Sequence, residues 1–269
     1  MAVVLEFESR PKIIQALVDS MLMVKRSTTH IVRHTDQLLG AFFQPIMFLV
    51  LFSAVFGGAI SRALPDGISY LNFLMAGIIV QTAAFGSTTT AIAVCADLQK
   101  GIVDRFRSLP MSNLAVLTGH VISDLFRNTI STTVMLLAGL VIGFRSSASL
   151  AEWLMIAGIL LLFTFAFSWL AAIVGILAKS VEAVQWLTFV LIFPLTFASS
   201  AFVPTEGMTP ILKTFAVNQP ITQIVEAVRA LILGTPLGNH GWLAIAWSLG
   251  ILVVSVPIAA WLFRRKTSQ

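Results

Sequence analysis

The side chains that most often carry chemistry are few in this chain and do not fall at the spacings that chemistry requires. Its one cysteine, Cys95, excludes an intramolecular disulfide and a cysteine-rich metal site. The four histidines form no HExxH pair or comparable ligand set, and no GxxxxGK(S/T) phosphate loop occurs. We therefore expect this chain to bind no metal or cofactor itself and not to be an enzyme. The histidines are His30, His34, His120 and His240.

One pair of opposite charges lies inside an apolar stretch. Asp124 and Arg127 are one helical turn apart, in the first half of residues 117–143. Side chains at this spacing meet on a helix, which predicts a structural ion pair, with a proton relay as the alternative. We expect no charge in the middle of the apolar stretches, which argues against ion or proton coupling, because such relays need an intramembrane carboxylate or histidine.

The composition predicts an all-α polytopic membrane protein. Hydrophobic residues make up 57% of 269 positions, charged residues 11%, and the mean hydropathy is +0.92. A soluble domain carries about twice that share of charge, and a helix needs about 20 apolar residues to cross the hydrocarbon. Six stretches meet this length and predict six transmembrane helices. They are residues 38–60, 70–96, 117–143, 153–178, 184–202 and 242–263.

The basic residues predict the orientation of these spans. Thirteen of the 17 Lys and Arg residues fall on one side of the six-span arrangement, which the positive-inside rule places in the cytoplasm with both termini. The net charge of +5 is thus a topology signal and does not indicate nucleic-acid binding. We predict a cytoplasmic N-terminus (1–37), a transmembrane domain (38–263) and a cytoplasmic tail (264–269) in the plasma membrane. No cleavable signal peptide is expected, since the first apolar stretch starts near Leu38.

Residues 10–37 predict an amphipathic helix in front of the first span. Apolar residues recur there at helical spacing against a polar face with basic flanks. Such a helix lies in the headgroup layer, either as a simple membrane anchor or with a role of its own.

Residues 97–110, between spans 2 and 3, predict a short cytoplasmic helix. Its apolar positions share one face, and Pro110 ends it. A helix of this length is stable only when its apolar face packs on something. The candidates are this chain's own span ends or a groove on a cytoplasmic partner. The apolar positions are Ile102, Val103, Phe106 and Leu109.

Residues 203–236, between spans 5 and 6, are unusually apolar for an external loop. They contain two short amphipathic pieces, 210–217 and 221–233, each too short to span. We expect a hairpin that enters the outer leaflet. Its apolar stripe, with Val225 and Val228, is expected to close the outer mouth and to form part of a dimer surface.

Together these features resemble the permease subunit of a type-2 ABC exporter, in the branch of the daunorubicin-resistance-like drug exporters. The resemblance covers essentially the whole chain. Its most specific pieces are 97–110, which is similar to a KGxxxRFRSLP-like cytoplasmic element, and 220–229, which is similar to a proline-to-arginine element before span 6. The chain departs from that pattern at Gln219, where Asn is usual, and at Gln223, where His, Arg or Ser is commoner.

The resemblance implies a coupling helix at 97–110, a re-entrant hairpin at 203–236, and two kinds of partner. ATP and Mg would be bound by a separately encoded ABC ATPase subunit, and a second permease copy or paralogue would complete the unit in the lipid. ATPase dimerisation would then push on the coupling helix. The residues implied for ATPase coupling are Lys100, Ile102, Val103, Arg105, Phe106, Arg107 and Leu109. Those implied for the hairpin are Glu206, Pro220, Glu226 and Arg229.

Spans 2 and 5 offer a possible substrate path. Hydroxyl groups in membrane helices more often bond their own helix or a neighbour than a ligand, and aromatic rings more often pack or face lipid, so both interpretations stay open. The candidates are Gln81, Thr82, Phe85, Thr88, Phe189, Phe193 and Phe197.

The function predicted from the sequence is export of a hydrophobic or amphipathic compound, drug or lipid. Export of a lipid-linked glycan is the alternative within transport, and it would call for a basic, aromatic groove at the membrane face. A membrane-embedded enzyme would need a catalytic dyad or metal set in the spans, which no recognisable spacing supplies. A secondary transporter would show inverted repeats and a central charge, and we identify neither in the sequence.

Overall fold

The computed structural model describes residues 35–64, 67–101 and 113–267. This described part contains nine α-helices, two short 3-10 helices and no β-strand, which confirms the all-α prediction. The 3-10 helices are Ser61–Ala63 and Thr205–Gly207. The α-helices are α1 (Thr35–Ile60), α2 (Tyr70–Gly86), α3 (Thr88–Gln99), α4 (Asn113–Ile142), α5 (Leu150–Leu177), α6 (Val181–Phe197), α7 (Pro210–Asn218), α8 (Pro220–Leu233) and α9 (His240–Thr267).

Within residues 35–64, 67–101 and 113–267, five helical stretches are long and apolar enough to cross a membrane, so the chain is a polytopic membrane protein. α6 is a sixth, shorter apolar helix of 17 residues. The predicted fifth span, 184–202, is wrong at its far end, because α6 stops at Phe197 and the Ala198 amide bonds the Pro194 carbonyl oxygen. The five stretches are Phe43–Ile60, Tyr70–Gln99, Val116–Ile142, Leu150–Leu177 and His240–Lys266.

The second span is interrupted between α2 and α3. The Thr90 amide bonds the Ser87 carbonyl oxygen, and the Ser87 hydroxyl donates to the Ala84 carbonyl oxygen at 2.6 Å. Glycine is required at position 86, since a Cβ there would lie 1.9 Å from Oδ1 of Asn128. The span predicted as one continuous helix is therefore two helices that meet near its midpoint.

The buried apolar residues form two cores at opposite ends of the bundle. The hairpin core surrounds α8 and includes Ile79, Phe163 and Val228. The tail core consists of two smaller clusters near the C-terminal end of α9, with Val94 and Phe263 among their members. Along α5 the change from one core to the other falls between Phe167 and Trp169. Along α2 and α3 it falls between Ala84 and Ala91.

A polar layer lies at the level where the cores change. Its side chains are buried or half-buried and come from α3, α4, α5 and the break before α3. The layer consists of Ser87, Thr89, Thr90, Asp124, Arg127, Asn128 and Ser168. Ser87 lies near the midpoint of the stretch Tyr70–Gln99, so the polar layer lies near the middle of that span. The Asp124–Arg127 pair belongs to this layer. The expectation that the middle of the spans carries no charge is therefore wrong for this pair.

The two short helices predicted for the hairpin are present as α7 and α8. Gln219 caps α8, its Oε1 accepting the Ile221 amide at 3.0 Å, and Gly234 ends the helix with φ of +66°. Val225 and Val228 are fully buried inside the chain, where α8 packs on α2, α5 and α9. The predicted dimer role of this stripe is thus wrong, because the chain's own core already covers it.

Two predicted elements fall on residues outside the described part. These are residues 10–34 of the amphipathic N-terminal segment and residues 102–110 of the coupling helix.

Candidate functional site

Arg229 anchors the hairpin to the rest of the bundle. Its guanidinium pairs with Glu226 one turn earlier and donates to the carbonyl oxygens of Ser200 (2.6 Å) and Phe73 (3.2 Å). The side chain also lies 3.6 Å above the centre of the Phe73 ring. A buried guanidinium needs this many acceptors to offset its desolvation. Arg229, paired with Glu226, therefore connects α8 to α2 and to the segment after α6.

The two positions where the chain departs from the family pattern both make hydrogen bonds. Gln219 Nε2 donates to the Leu195 carbonyl oxygen at 2.9 Å, which fastens the start of α8 to α6. Gln223 Nε2 donates to the Val217 carbonyl oxygen at 2.5 Å, and its Oε1 lies 2.8 Å from His240 Nδ1. An amide oxygen only accepts, so His240 donates from Nδ1. Of the other hairpin residues, Pro220 is the first residue of α8 and Glu206 is exposed.

Three of the predicted path residues stack along one face of α6. The ring centres of Phe189 and Phe193 are 4.9 Å apart, and those of Phe193 and Phe197 are 4.1 Å apart. The stack continues to Phe202 at 4.7 Å and from there to Phe52 of α1 at 4.8 Å. Spacing of four residues within α6 indicated the first three rings. No local pattern indicated Phe202 or Phe52.

This aromatic ladder, from Phe189 through Phe193, Phe197 and Phe202 to Phe52, is accessible along its α6 part. Phe189 is 45% exposed and Phe193 is 37% exposed, whereas Phe202 is buried. Trp186 precedes the ladder in an edge-on contact with Phe189 at 6.5 Å. The ladder is a strip of ring faces that starts at the chain's surface and ends in the hairpin core.

The remaining path candidates, on span 2, are less accessible. Gln81 and Thr82 are buried inside the chain, and the Thr82 hydroxyl donates to the Ile78 carbonyl oxygen of its own helix at 2.7 Å. Phe85 and Thr88 are half-buried. The structure thus brings the α6 aromatics together but leaves the span 2 residues off the ladder.

Lys100 is the one predicted coupling residue in the described part, and it lies exposed where α3 ends. The helix end beside it is tied to its neighbours. Gln99 Nε2 donates to the Lys179 carbonyl oxygen at 2.7 Å, and Asp97 Oδ2 lies 3.0 Å from His120 Nε2 of α4. Lys266 of α9 donates to a carbonyl oxygen at the end of α5. The other coupling candidates lie outside the described residues.

The polar layer holds the predicted Asp124–Arg127 ion pair, which is confirmed. The carboxylate also accepts the hydroxyls of Ser168 (2.6 Å, Oδ2) and Thr89 (3.0 Å, Oδ1). Arg127 donates in addition to the Gly86 carbonyl oxygen at the helix break. These bonds join three spans around one carboxylate and favour the structural interpretation of the pair over a proton relay.

The family of the chain follows from its similarity to known proteins. The family described as ABC-2 type transporter matches residues 19–233. The chain belongs to this family. Membership agrees with the apolar helices and with the hairpin before the last span, and it implies an ABC ATPase partner.

Relatives within the ABC-2 family include permeases connected with drug resistance. The chain is 29% identical over 233 residues to the daunorubicin resistance ABC transporter permease protein DrrB1 of Streptomyces coeruleorubidus, a match that covers 87% of this chain and 81% of that protein. It is 26% identical over 244 residues to the probable doxorubicin resistance ABC transporter permease protein DrrC of Mycobacterium tuberculosis, with 90% and 87% covered. Nodulation protein J of Rhizobium meliloti is 28% identical over 210 residues, with 76% and 77% covered.

Proposed function

We propose that this chain is the permease subunit of an ATP-driven exporter that moves a hydrophobic or amphipathic compound, drug or lipid, out of the cell. Family membership and the names of the two drug-resistance relatives support the transport role. The observation that carries the substrate class is the aromatic ladder on α6.

The ladder suits an apolar or planar cargo. Each aromatic pair contributes about 0.5–1.5 kcal/mol beyond area burial, so a row of rings offers several weak, similar positions rather than one tight site. α6 contains no Lys or Arg, and its one acidic residue, Glu182, lies in the first turn. A lipid-linked glycan would need polar and basic contacts, which this strip does not supply.

The energy source in this proposal is a separate ABC ATPase that binds ATP and Mg and engages residues 97–110. The chain itself has no phosphate loop of the GxxxxGK(S/T) type. Because the end of α3 is bonded to α4 and to the loop after α5, a push on that end would reach three spans at once. A second permease, either a copy or a paralogue, would face the exposed part of the ladder and enclose the path.

The proposed setting is the plasma membrane with both termini in the cytoplasm. Lys179 and Lys266 lie with Lys100 at the end of the bundle that holds the tail core. Arg145 and Lys213 lie toward the hairpin end. Basic residues gather on the cytoplasmic side of membrane proteins, so the tail end would face the cytoplasm.

Transport by ladder variants tests the proposal. The measurement is ATP-dependent movement of daunorubicin into inside-out vesicles that contain the permease and its ATPase. We expect Phe193→Ala to reduce the initial rate about 2- to 10-fold, the equivalent of one lost aromatic contact, and Phe193→Tyr to retain most of it. Phe126→Ala is the matched control, because Phe126 is an exposed ring on α4 outside the ladder. Unchanged transport by Phe193→Ala and Phe197→Ala would contradict the proposed path.

A further inference from the structure

Along α3, α4 and α5, side chains of the polar layer lie between the buried residues of the two apolar cores. On α5 the change from one core to the other falls next to Ser168, whose hydroxyl bonds Asp124 of α4. In α4 the tail core ends at Val121 and the hairpin core begins at Met135, and Asp124, Arg127 and Asn128 lie between them. Interlocked apolar side chains resist sliding because interiors are close-packed. A layer held by hydrogen bonds does not have that restraint.

The main chain is also weakened at this level. At the α2–α3 break the Gly86 carbonyl oxygen accepts a hydrogen bond from the Arg127 side chain. The Thr89 hydroxyl lies 3.0 Å from this oxygen and 3.0 Å from Asp124 Oδ1, and its one hydrogen bonds one of the two.

Two buried polar atoms in the layer have no hydrogen-bond partner among the described residues. They are Nδ2 of Asn128 and Oγ1 of Thr90, and both side chains are at least 97% buried. Unpaired buried polar groups are costly. In a second arrangement of the layer, hydrogen bonds to these two atoms would offset the hydrogen bonds that are lost when the present arrangement breaks.

We propose that the polar layer is an articulation, at which the tail-core part of the bundle tilts against the hairpin-core part with Gly86 and Ser87 as the pivot. Asp124 and Arg127 are positioning residues, because their ion pair stabilises the arrangement of the layer described here. Bistable packing of this kind is what converts a small push into a change of state. The source of the push rests on the proposed function, because an ATPase engaging residues 97–110 would act on the end of α3.

Electron–electron distance measurements on the full-length chain in liposomes test the articulation without any partner. Spin labels are placed in a Cys95→Ala background as three pairs. Lys100 with Thr235 crosses the layer, Lys100 with Lys179 stays in the tail part, and Ala151 with Thr235 stays in the hairpin part. All four positions are exposed. The variants are Arg127→Met and Asp124→Asn.

We expect Arg127→Met and Asp124→Asn to widen the cross-layer distance distribution at least twofold or to add a second population. The two within-part distributions should keep their wild-type widths. Arg127→Lys should restore the wild-type distribution in part. Thr133→Val is the matched control, since Thr133 is an exposed residue of α4 whose hydroxyl bonds only its own helix. An unchanged cross-layer distribution in both variants would overturn the articulation, and so would equal widening of all three pairs.

A second measurement separates this inference from the proposed function. In complexes with the ATPase, ATP and vanadate should shift the cross-layer distance by about 3 Å or more, the scale of known rigid-body switching, and leave the within-part distances unchanged. Widening in Arg127→Met without any ATP-driven shift in the wild type would retain the articulation and reject the ATPase as its drive.

Discussion

The Arg229 guanidinium lies 3.6 Å above the ring of Phe73 and donates a hydrogen bond to the carbonyl oxygen of the same residue. One side chain thus fixes both the backbone and the side chain of α2 from α8, which lies more than 150 residues later. A flat group with five donors suits this position, whereas a lysine ammonium does not reproduce it.

Arg229→Met is therefore expected to destabilise the hairpin end of the bundle. Removing one partner of a buried charge pair costs about 3 kcal/mol or more, which corresponds to a drop in Tm of roughly 6–12 °C for a chain of this size. Thermal unfolding in detergent, followed by size-exclusion chromatography, measures it. Arg62→Met is the control, because Arg62 is exposed in the 3-10 helix that follows α1. Equal melting of Arg229→Met and wild type would show that this connection contributes no stability.

Two glycines of α5 are expected to respond oppositely to alanine. A Cβ at Gly175 would lie 2.4 Å from the Ala91 carbonyl oxygen of α3, so Gly175→Ala should destabilise the chain by about 1–3 kcal/mol. Gly158 has open space around it, so Gly158→Ala should stabilise the helix by about 0.5–1 kcal/mol. Thermal unfolding of both variants checks this. If Gly175→Ala leaves the melting temperature unchanged, α3 and α5 can move apart without a loss of stability.

Phe106→Ala is expected to uncouple ATP hydrolysis from transport. Phe106, outside the described residues, is the largest apolar group of the segment that follows α3, and truncating a buried interface aromatic often costs 2 kcal/mol or more. Arg105→Ala should do less, since exposed ion pairs contribute under about 1 kcal/mol. Co-purification of the ATPase and drug-stimulated ATP hydrolysis are the readouts. If Phe106→Ala preserves both, residues 97–110 are not the mechanical link.

The orientation can be checked by labelling single cysteines in a Cys95-free background. Positions 62, 145 and 213 should react with an impermeant reagent added outside intact cells. Positions 25, 105 and 266 should react only after the membrane is opened. Reaction of position 105 from the outside would overturn the proposed topology.

The sequence predicted the number and order of the apolar helices because long apolar stretches are a property of local composition. It did not predict the break at Gly86, since glycine and serine are common in unbroken membrane helices and only the approach of Asn128 makes the glycine necessary. The sequence predicts an end of α6 at 202 instead of 197 because residues 198–202 carry no charge and no helix breaker, although the chain turns there to pack on α2.

Contacts between distant segments account for most of what the sequence did not reveal at the candidate sites. The Asp124–Arg127 pair follows from helical spacing, but Ser168, which completes it, is 44 positions away from Asp124. The sequence predicts the apolar stripe of α8 correctly but assigns part of it to a dimer surface, whereas the stripe packs on α2, α5 and α9 of the same chain. A stripe that packs on the chain's own spans has the same local pattern as one that meets a second copy.

The shortness of α6 has a consequence for the surrounding lipid. Seventeen residues span about 25 Å, which is less than the hydrocarbon thickness of about 30 Å in a typical bilayer. The bilayer beside a short span becomes thinner to match the length of that span, at a cost of a fraction of a kcal/mol per Å. Trp186, 70% exposed near the start of the helix, is the type of residue that settles at the headgroup level and fixes that depth. The bilayer is therefore expected to be thinnest beside the row of phenyl rings, where a compound leaving one leaflet has the shortest distance to travel to the other.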